Sequence, residues 1–159
     1  MTLPLPQNER FYAIWKPLLF FANRQRQLVP TLLEAGPDTK LNVPDVFKIR
    51  QAIWENEALL EAFIAQNPSQ LSAEDLALAA SWIHRCSGKF FIFKHLKKHS
   101  IFIDDGRGEV FAVKGLYSSI EDVVGPYLPV LVETVLLPFG DEIIYDGLMQ
   151  PYNIFFGGG

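Results

Sequence analysis

The chain contains a single cysteine among its 159 residues, so it cannot form an internal disulfide. Because disulfides are typical of oxidising compartments, the cysteine content does not suggest secretion. The opening residues, MTLPLPQNER, also lack the positive start and the apolar run of a signal peptide. We therefore expect a cytoplasmic protein.

Long apolar runs and phosphate-binding loops are missing too. The uncharged stretch 123–132 is too short to span a bilayer, and it contains Gly125, Pro126 and Pro129. The runs GKFF and GRGE have neither the spacing nor the following helix of a glycine-rich phosphate loop. We expect no membrane partner and no cofactor.

Positive charge is absent from the last part of the chain. Residues 115–159 hold six acidic and no basic residues, whereas residues 84–114 hold seven basic and three acidic ones. The net charge of −4 argues against a broad electrostatic footprint for nucleic acid. The basic middle and the acidic last third either neutralise each other within the fold or face different partners.

Bulky apolar residues are plentiful, with 13 Phe, 5 Tyr and 3 Trp. A chain of this length can bury roughly two-thirds of its unfolded surface in one core. We therefore expect a single domain over residues 1–159, with a helical part at 1–87 and a β-sheet part at 88–159.

Helical periodicity and capping residues mark the first half of the chain. Apolar spacing predicts an amphipathic helix from Asn8 to about residue 28 and a second helix after Asn42. The apolar pattern continues to Asn67, and a break near Asn56 is left open. Ser72 is suited to cap a further helix, which we expect to end just before Gly88.

Short β-rich runs follow Gly88. They predict about six strands, at residues 90–93, 101–103, 110–113, 130–137, 142–145 and 153–156. Asp105-Gly106 and Gly140-Asp141 are suited to two-residue hairpin turns, the first placing Asp104 opposite Arg107. The predicted fold class is α+β, with three or four N-terminal helices packed on one face of a C-terminal antiparallel sheet.

The segment HRCSGKFFIFKHLKKH, residues 84–99, holds every histidine and the cysteine of the chain. His95 and His99 could share a face and bind a metal only if HLKKH were helical. His84 and Cys86 are two residues apart, which is poor spacing for a nucleophile and its base. The simplest interpretation is a helix end, then a strand buried on both faces, then a basic solvated tip.

Two further kinds of site are suggested by residue type. Asp104, Asp105, Glu109 and Lys114 are the residue types of a metal-dependent nuclease, although Phe111 stands where such enzymes place a lysine. A nucleic-acid surface would use Lys89, Lys94, Lys97 and Lys98, which lie in the stretch KFFIFKHLKK together with interleaved aromatic residues.

Several strings in the second half, KHLKKHSIFID, VKGL, ETVLLPFGDEIIYDGL and YNIFFGGG, resemble those of a group of uncharacterised bacterial proteins. The resemblance covers residues 82–159 and implies no activity, cofactor or partner. It implies a chain that continues beyond FGGG.

No catalytic constellation is apparent, so we expect a non-enzymatic interaction or regulatory module with a protein partner. A module that associates with nucleic acid is the alternative. A small metal-dependent hydrolase or nuclease is a second alternative, and its candidate metal ligands are His95, His99, Asp104 and Asp105.

Overall fold

The computed structural model describes residues 1–33 and 39–152, in which N-terminal helices precede C-terminal strands. This order confirms the predicted α+β class. The predicted strand at residues 153–156 lies outside the described residues. The helices are α1 (Leu5–Arg26), α2 (Val43–Glu55), α3 (Ala58–Gln66), α4 (Ala73–Ser81) and α5 (Ile120–Val124); the strands are β1 (Cys86–His95), β2 (Ser100–Asp104), β3 (Val110–Val113), β4 (Val130–Phe139) and β5 (Glu142–Tyr152).

The chain divides into two compact units. The helical unit comprises Glu9–Ile83, and the sheet unit comprises Met1–Asn8 together with the chain from His84 onward. Whether the two units form one domain, as expected from the chain length, stays a prediction.

The helix starts follow their capping residues. The side chain of Asn42 accepts the backbone N–H of Asp45 at 2.9 Å, and Ser72 accepts that of Asp75 at 3.1 Å. Each cap satisfies a donor that the first turn of a helix leaves free. The chain breaks at Asn56, so α2 and α3 are two helices.

An aromatic cluster occupies the helical unit. The ring of Trp15 stacks on Trp54, with 5.6 Å between centroids, and meets Trp82 edge-on at 6.1 Å. The ring of Phe11 lies 5.7 Å from that of Trp82. Because Phe11, Trp15 and Trp82 are almost fully buried, this cluster forms much of the core of the unit.

The fourth helix ends earlier than the sequence predicts. It stops at Ser81 and is followed by a short 3-10 turn, Trp82–His84. The expected continuation to Gly88 is wrong because Cys86–Gly88 instead pair with Thr134–Leu136 on β4. His84 therefore lies in the 3-10 turn, and Cys86 is the first residue of a strand.

The strands form a closed barrel in the order β1-β2-β3-β5-β4, with β1 also paired to β4. The other neighbours are antiparallel, whereas β3 and β5 run parallel where Val113 lies opposite Ile143. The sheet is therefore mixed, and in this respect it differs from the antiparallel sheet expected. Closure is possible because the N–H of Lys114 also bonds the carbonyl of Ile143, at 2.9 Å.

The two predicted hairpin turns have different outcomes. Gly140 and Asp141 do form a two-residue turn, with Phe139 opposite Glu142 and a positive φ of 61° at Gly140. Between β2 and β3, however, the N–H of Asp104 bonds the carbonyl of Glu109 at 2.9 Å. The predicted pairing of Asp104 with Arg107 is therefore wrong, and the loop is longer.

Strand β5 continues through Tyr145-Asp146-Gly147, where the sequence suggests a strand end. The register against β4 shifts here, and Gly147 has a φ of 94°. The side chain of Asp146 is buried and accepts the N–H of Leu148 at 3.3 Å. A β-bulge accommodates these residues without ending the strand.

Candidate binding surface

The hairpin formed by β1 and β2 carries a concentrated positive charge. Residues 87–103 contain four lysines and no acidic residue. All four, Lys89, Lys94, Lys97 and Lys98, have exposed side chains. Three of them lie at the end of the hairpin, because Lys97 and Lys98 form the β1–β2 turn and Lys94 is near the end of β1.

Strand β1 is not buried on both faces, contrary to the expectation from its run of apolar residues. Phe90 and Ile92 are fully buried, whereas Phe91 is half-buried and Phe93 is 50% exposed. A register shift between Ile92 and Lys94 marks a bulge at Phe93. The bulge leaves this aromatic ring in solvent, with the Lys94 ammonium 5.8 Å from the ring centroid.

An apolar row crosses the outer face of the sheet. Strand pairing places Phe91 between Leu131 of β4 and Ile103 of β2. The row extends from Ile103 to Val110 of β3 and from Leu131 to Tyr152 of β5. Two aromatic rings, Phe91 and Tyr152, therefore lie in one row with aliphatic side chains.

Lys89 lies apart from the other three lysines. Its ammonium group is 5.0 Å from the ring centroid of Tyr152, and its strand partner is Glu133. The hydroxyl of Tyr152 donates a short hydrogen bond to the carboxylate of Glu133, which raises the pKa of this tyrosine. An acidic neighbour offsets the charge of Lys89, so the unopposed positive charge is at the hairpin end.

His95, at the end of β1, is held by hydrogen bonds at both of its ring nitrogens. Its Nε2 lies 3.1 Å from the carbonyl oxygen of Gly125, and its Nδ1 lies 2.8 Å from the hydroxyl oxygen of Ser100. Because a carbonyl only accepts, Nε2 carries a proton, and Nδ1 accepts the Ser100 hydroxyl when the ring is neutral. Both ring nitrogens are therefore engaged within the protein.

His99 ends the same turn and joins it to β5. Its Nε2 lies 3.1 Å from one oxygen of Glu142, and the ammonium group of Lys114 lies 2.9 Å from the other. Partial burial alone would raise the pKa of Glu142, but hydrogen bonds and charge from Lys114 and His99 outweigh it and lower this pKa. The carboxylate thus bridges three elements of the barrel.

The proposed histidine ligands do not come together with the proposed aspartate ligands. His99 precedes β2 and Asp104 ends it, so five residues of strand, about 17 Å, separate them. One carboxylate oxygen of Asp104 accepts the backbone N–H groups of Gly106 and Arg107, at 2.7 and 3.0 Å. Within residues 1–33 and 39–152, no three His, Cys, Asp or Glu residues are grouped to hold a metal ion.

The lone cysteine is poorly suited to nucleophilic chemistry. Burial raises the pKa of the Cys86 thiol, and the negative charges of Asp104 and Glu109 raise it further against the opposite effect of Arg107. No hydrogen bond joins Cys86 to His84 in the described part of the chain. The thiol is therefore held in its less reactive, protonated form.

Sequence patterns did not reveal two features of this surface. The exposure of Phe93 depends on a bulge, and the contact of Tyr152 with Lys89 depends on pairing across β4. A usable local signal was the absence of acidic residues from 87 to 103.

No family model, curated protein or solved structure matches the chain. Among the described residues, no helix combines the length and the hydropathy required to cross a membrane.

Proposed function

We propose that the chain associates with single-stranded nucleic acid through the end of the β1–β2 hairpin and the adjoining outer face of β1. The observation that carries the proposal is the exposed ring of Phe93 beside Lys94, with Lys97 and Lys98 in the adjoining turn, in a stretch, residues 87–103, that contains no acidic residue. An aromatic ring stacks on any base, and neighbouring lysines contact phosphates.

The connectivity of the barrel supports this proposal. A five-stranded closed barrel in the order β1-β2-β3-β5-β4, with a helix between β3 and β4, has the connectivity of an OB-fold. Barrels of that kind bind oligonucleotides on the face of β2 and β3 and at the β1–β2 and β4–β5 turns, and Lys97 and Lys98 lie at the first of these turns. Connectivity alone implies no function, so the argument depends on the side chains.

Binding by this surface is expected to be weak and sensitive to salt. Three lysines at the hairpin end neutralise about three phosphates, which for a single strand gives a slope of about −2 in log affinity against log salt. Affinity then falls about twentyfold between about 50 and 200 mM salt. A small, local basic surface is compatible with the negative charge of the whole chain.

The test is fluorescence anisotropy with labelled oligo-dT and oligo-rU of about 12 nucleotides, within the site size of such barrels. The double variant K97Q/K98Q is expected to weaken binding and to make the salt slope about 1.4 shallower. The matched control, K40Q/K48Q, neutralises two exposed lysines of the helical unit and is expected to bind like the unaltered protein.

Phe93→Ala separates stacking from charge. It is expected to weaken binding about tenfold while leaving the salt slope unchanged, because no phosphate contact is removed. Absence of binding at low salt would refute the proposal. So would binding that is insensitive to K97Q/K98Q and Phe93→Ala, or a preference for duplex of the same length.

A protein partner is the second candidate, favoured by the aliphatic side chains on the outer face of β2 and β3. Val110 is 64% exposed, Ala112 is exposed, and both lie beside half-buried isoleucines, Ile101 and Ile103. Val110→Asp is expected to abolish such an interaction while K97Q/K98Q preserves it. Affinity purification with both variants, followed by binding of the purified partner, tests this candidate.

A further inference from the structure

Two exposed surfaces of opposite charge adjoin each other on the sheet unit. The basic surface is the hairpin end, comprising Phe93, Lys94, Leu96, Lys97 and Lys98. The acidic surface comprises α5 and the segment after it, and its exposed side chains are Glu121, Asp122, Val123 and Tyr127. Each surface thus combines charge of one sign with exposed apolar side chains.

A hydrogen bond joins the two segments of chain that carry these surfaces. The ring of His95, at the base of the hairpin end, bonds the carbonyl of Gly125, at the end of α5. The segments that carry the two surfaces are therefore neighbours in the sheet unit, and a two-fold axis between them would set each surface against its opposite on a second copy. An interface that is complementary to itself in this way closes as a dimer.

The charges on both surfaces are available. Lys97, Lys98, Glu121 and Asp122 form no ion pair with other residues of the described ranges, 1–33 and 39–152. Tyr127 is 89% exposed, so its ring is available to contact another protein. Apolar contact combined with opposite charge is the composition of a weak protein interface.

We infer that the chain associates with a second copy of itself, the basic surface of each copy meeting the acidic surface of the other. This inference goes beyond the proposed function and does not depend on it. Lys97 and Lys98 belong both to this basic surface and to the proposed nucleic-acid surface, so a second copy and nucleic acid compete for them.

Sedimentation velocity of the full chain, purified free of nucleic acid, tests the inference. At about 20 mM salt we expect a reversible monomer–dimer equilibrium, and at about 500 mM salt the monomer, because salt screens exposed charges. Two charge-reversed variants, K97E/K98E and E121K/D122K, are each expected to raise the dimer dissociation constant at least about tenfold.

The decisive measurement is sedimentation velocity of an equimolar mixture of the two charge-reversed variants. One variant then presents two acidic surfaces and the other two basic surfaces, so an equimolar mixture is expected to form a heterodimer about as readily as the unaltered protein. If a charge-reversed variant has a circular dichroism spectrum that differs from that of the unaltered protein, the neutral variants K97Q/K98Q and E121Q/D122N replace it. They are each expected to weaken the dimer.

Three results would overturn the inference. The first is an unaltered protein that stays monomeric at low salt at the highest attainable concentration. The second is a dimer that persists in both charge-reversed variants, which would place the interface elsewhere. The third is a mixture of the two that remains monomeric. If one of these results is found and K97Q/K98Q still loses nucleic-acid binding, the inference of self-association fails while the proposed function is supported.

Discussion

The ammonium group of Lys114 lies 2.9 Å from the carboxylate of Glu142, and the ring of His99 binds the other oxygen of the same carboxylate. These contacts connect the end of β3, the start of β5 and the β1–β2 turn. They hold the basic turn against the barrel at the place where the parallel pairing of β3 and β5 closes the sheet.

This arrangement predicts a pH dependence of stability. The pKa of Glu142 in the folded chain is lowered from its ordinary value of 4.5, so its ionised form stabilises the fold. The contribution is fully present above pH 4.5 and is lost as the pH falls through the folded-state pKa. We expect Glu142→Gln to be less stable than the unaltered protein at neutral pH, with the difference disappearing in acid.

Hydrogen exchange of the backbone amides of β3 and β5, followed by mass spectrometry at several pH values, measures this difference within the sheet unit. Glu121→Gln is the control, because Glu121 is exposed and has no ion pair in the described part of the chain. A constant difference between Glu142→Gln and the unaltered protein at all pH values would contradict the prediction.

His95→Phe tests whether the histidine holds the β1–β2 turn. The substitution keeps a ring but removes both hydrogen bonds, leaving the buried hydroxyl of Ser100 without its partner. We expect a loss of about 1–3 kcal/mol in the free energy of unfolding of the sheet unit and faster amide exchange in residues 96–99. His84→Phe, at an exposed position, is expected to change neither quantity.

Gly115→Ala is expected to destabilise the sheet unit. A Cβ at this position would overlap the backbone oxygen of Ser118, so the chain must shift. The same residue bonds the N-terminal segment, its N–H to the carbonyl of Met1 at 2.7 Å and its carbonyl to the N–H of Leu3 at 3.0 Å. The expected cost is about 1–3 kcal/mol.

Chemical unfolding monitored by circular dichroism measures this cost. Gly106→Ala is the matched control, since a Cβ there meets only the Asp104 side chain, at an ordinary 3.4 Å. Its expected effect is within about 0.5 kcal/mol. If both substitutions changed the free energy of unfolding equally, the close approach of Ser118 would not be the reason that residue 115 is glycine.

Trp82→Ala is expected to be among the most damaging changes in the helical unit. The side chain is fully buried against Phe11 and Trp15. Truncation of a large buried aromatic residue typically costs about 3–5 kcal/mol. Urea unfolding monitored by the fluorescence of Trp15 and Trp54 measures it, and the neighbouring Ile83→Ala, at an exposed position, is expected to be nearly neutral.

Local chemistry in the sequence was sufficient for much of the fold. The caps at Asn42 and Ser72 and the Gly140-Asp141 hairpin all depend on hydrogen bonds or backbone freedom within a few residues. Such interactions can be recognised in the sequence because both partners lie in the same short segment.

Other features depend on pairing between segments that are distant in sequence, and only the tertiary structure decided them. Cys86–Gly88 joined a strand because β4, almost fifty residues away in sequence, supplies their partners, and the exposure of Phe93 depends on a bulge against β2. The bridge from His99 through Glu142 to Lys114 joins residues of three elements. The amino-acid sequence therefore determined most of the helices and strands and where the positive charge lies, whereas pairing across the chain decided where β1 begins and which side chains reach solvent together.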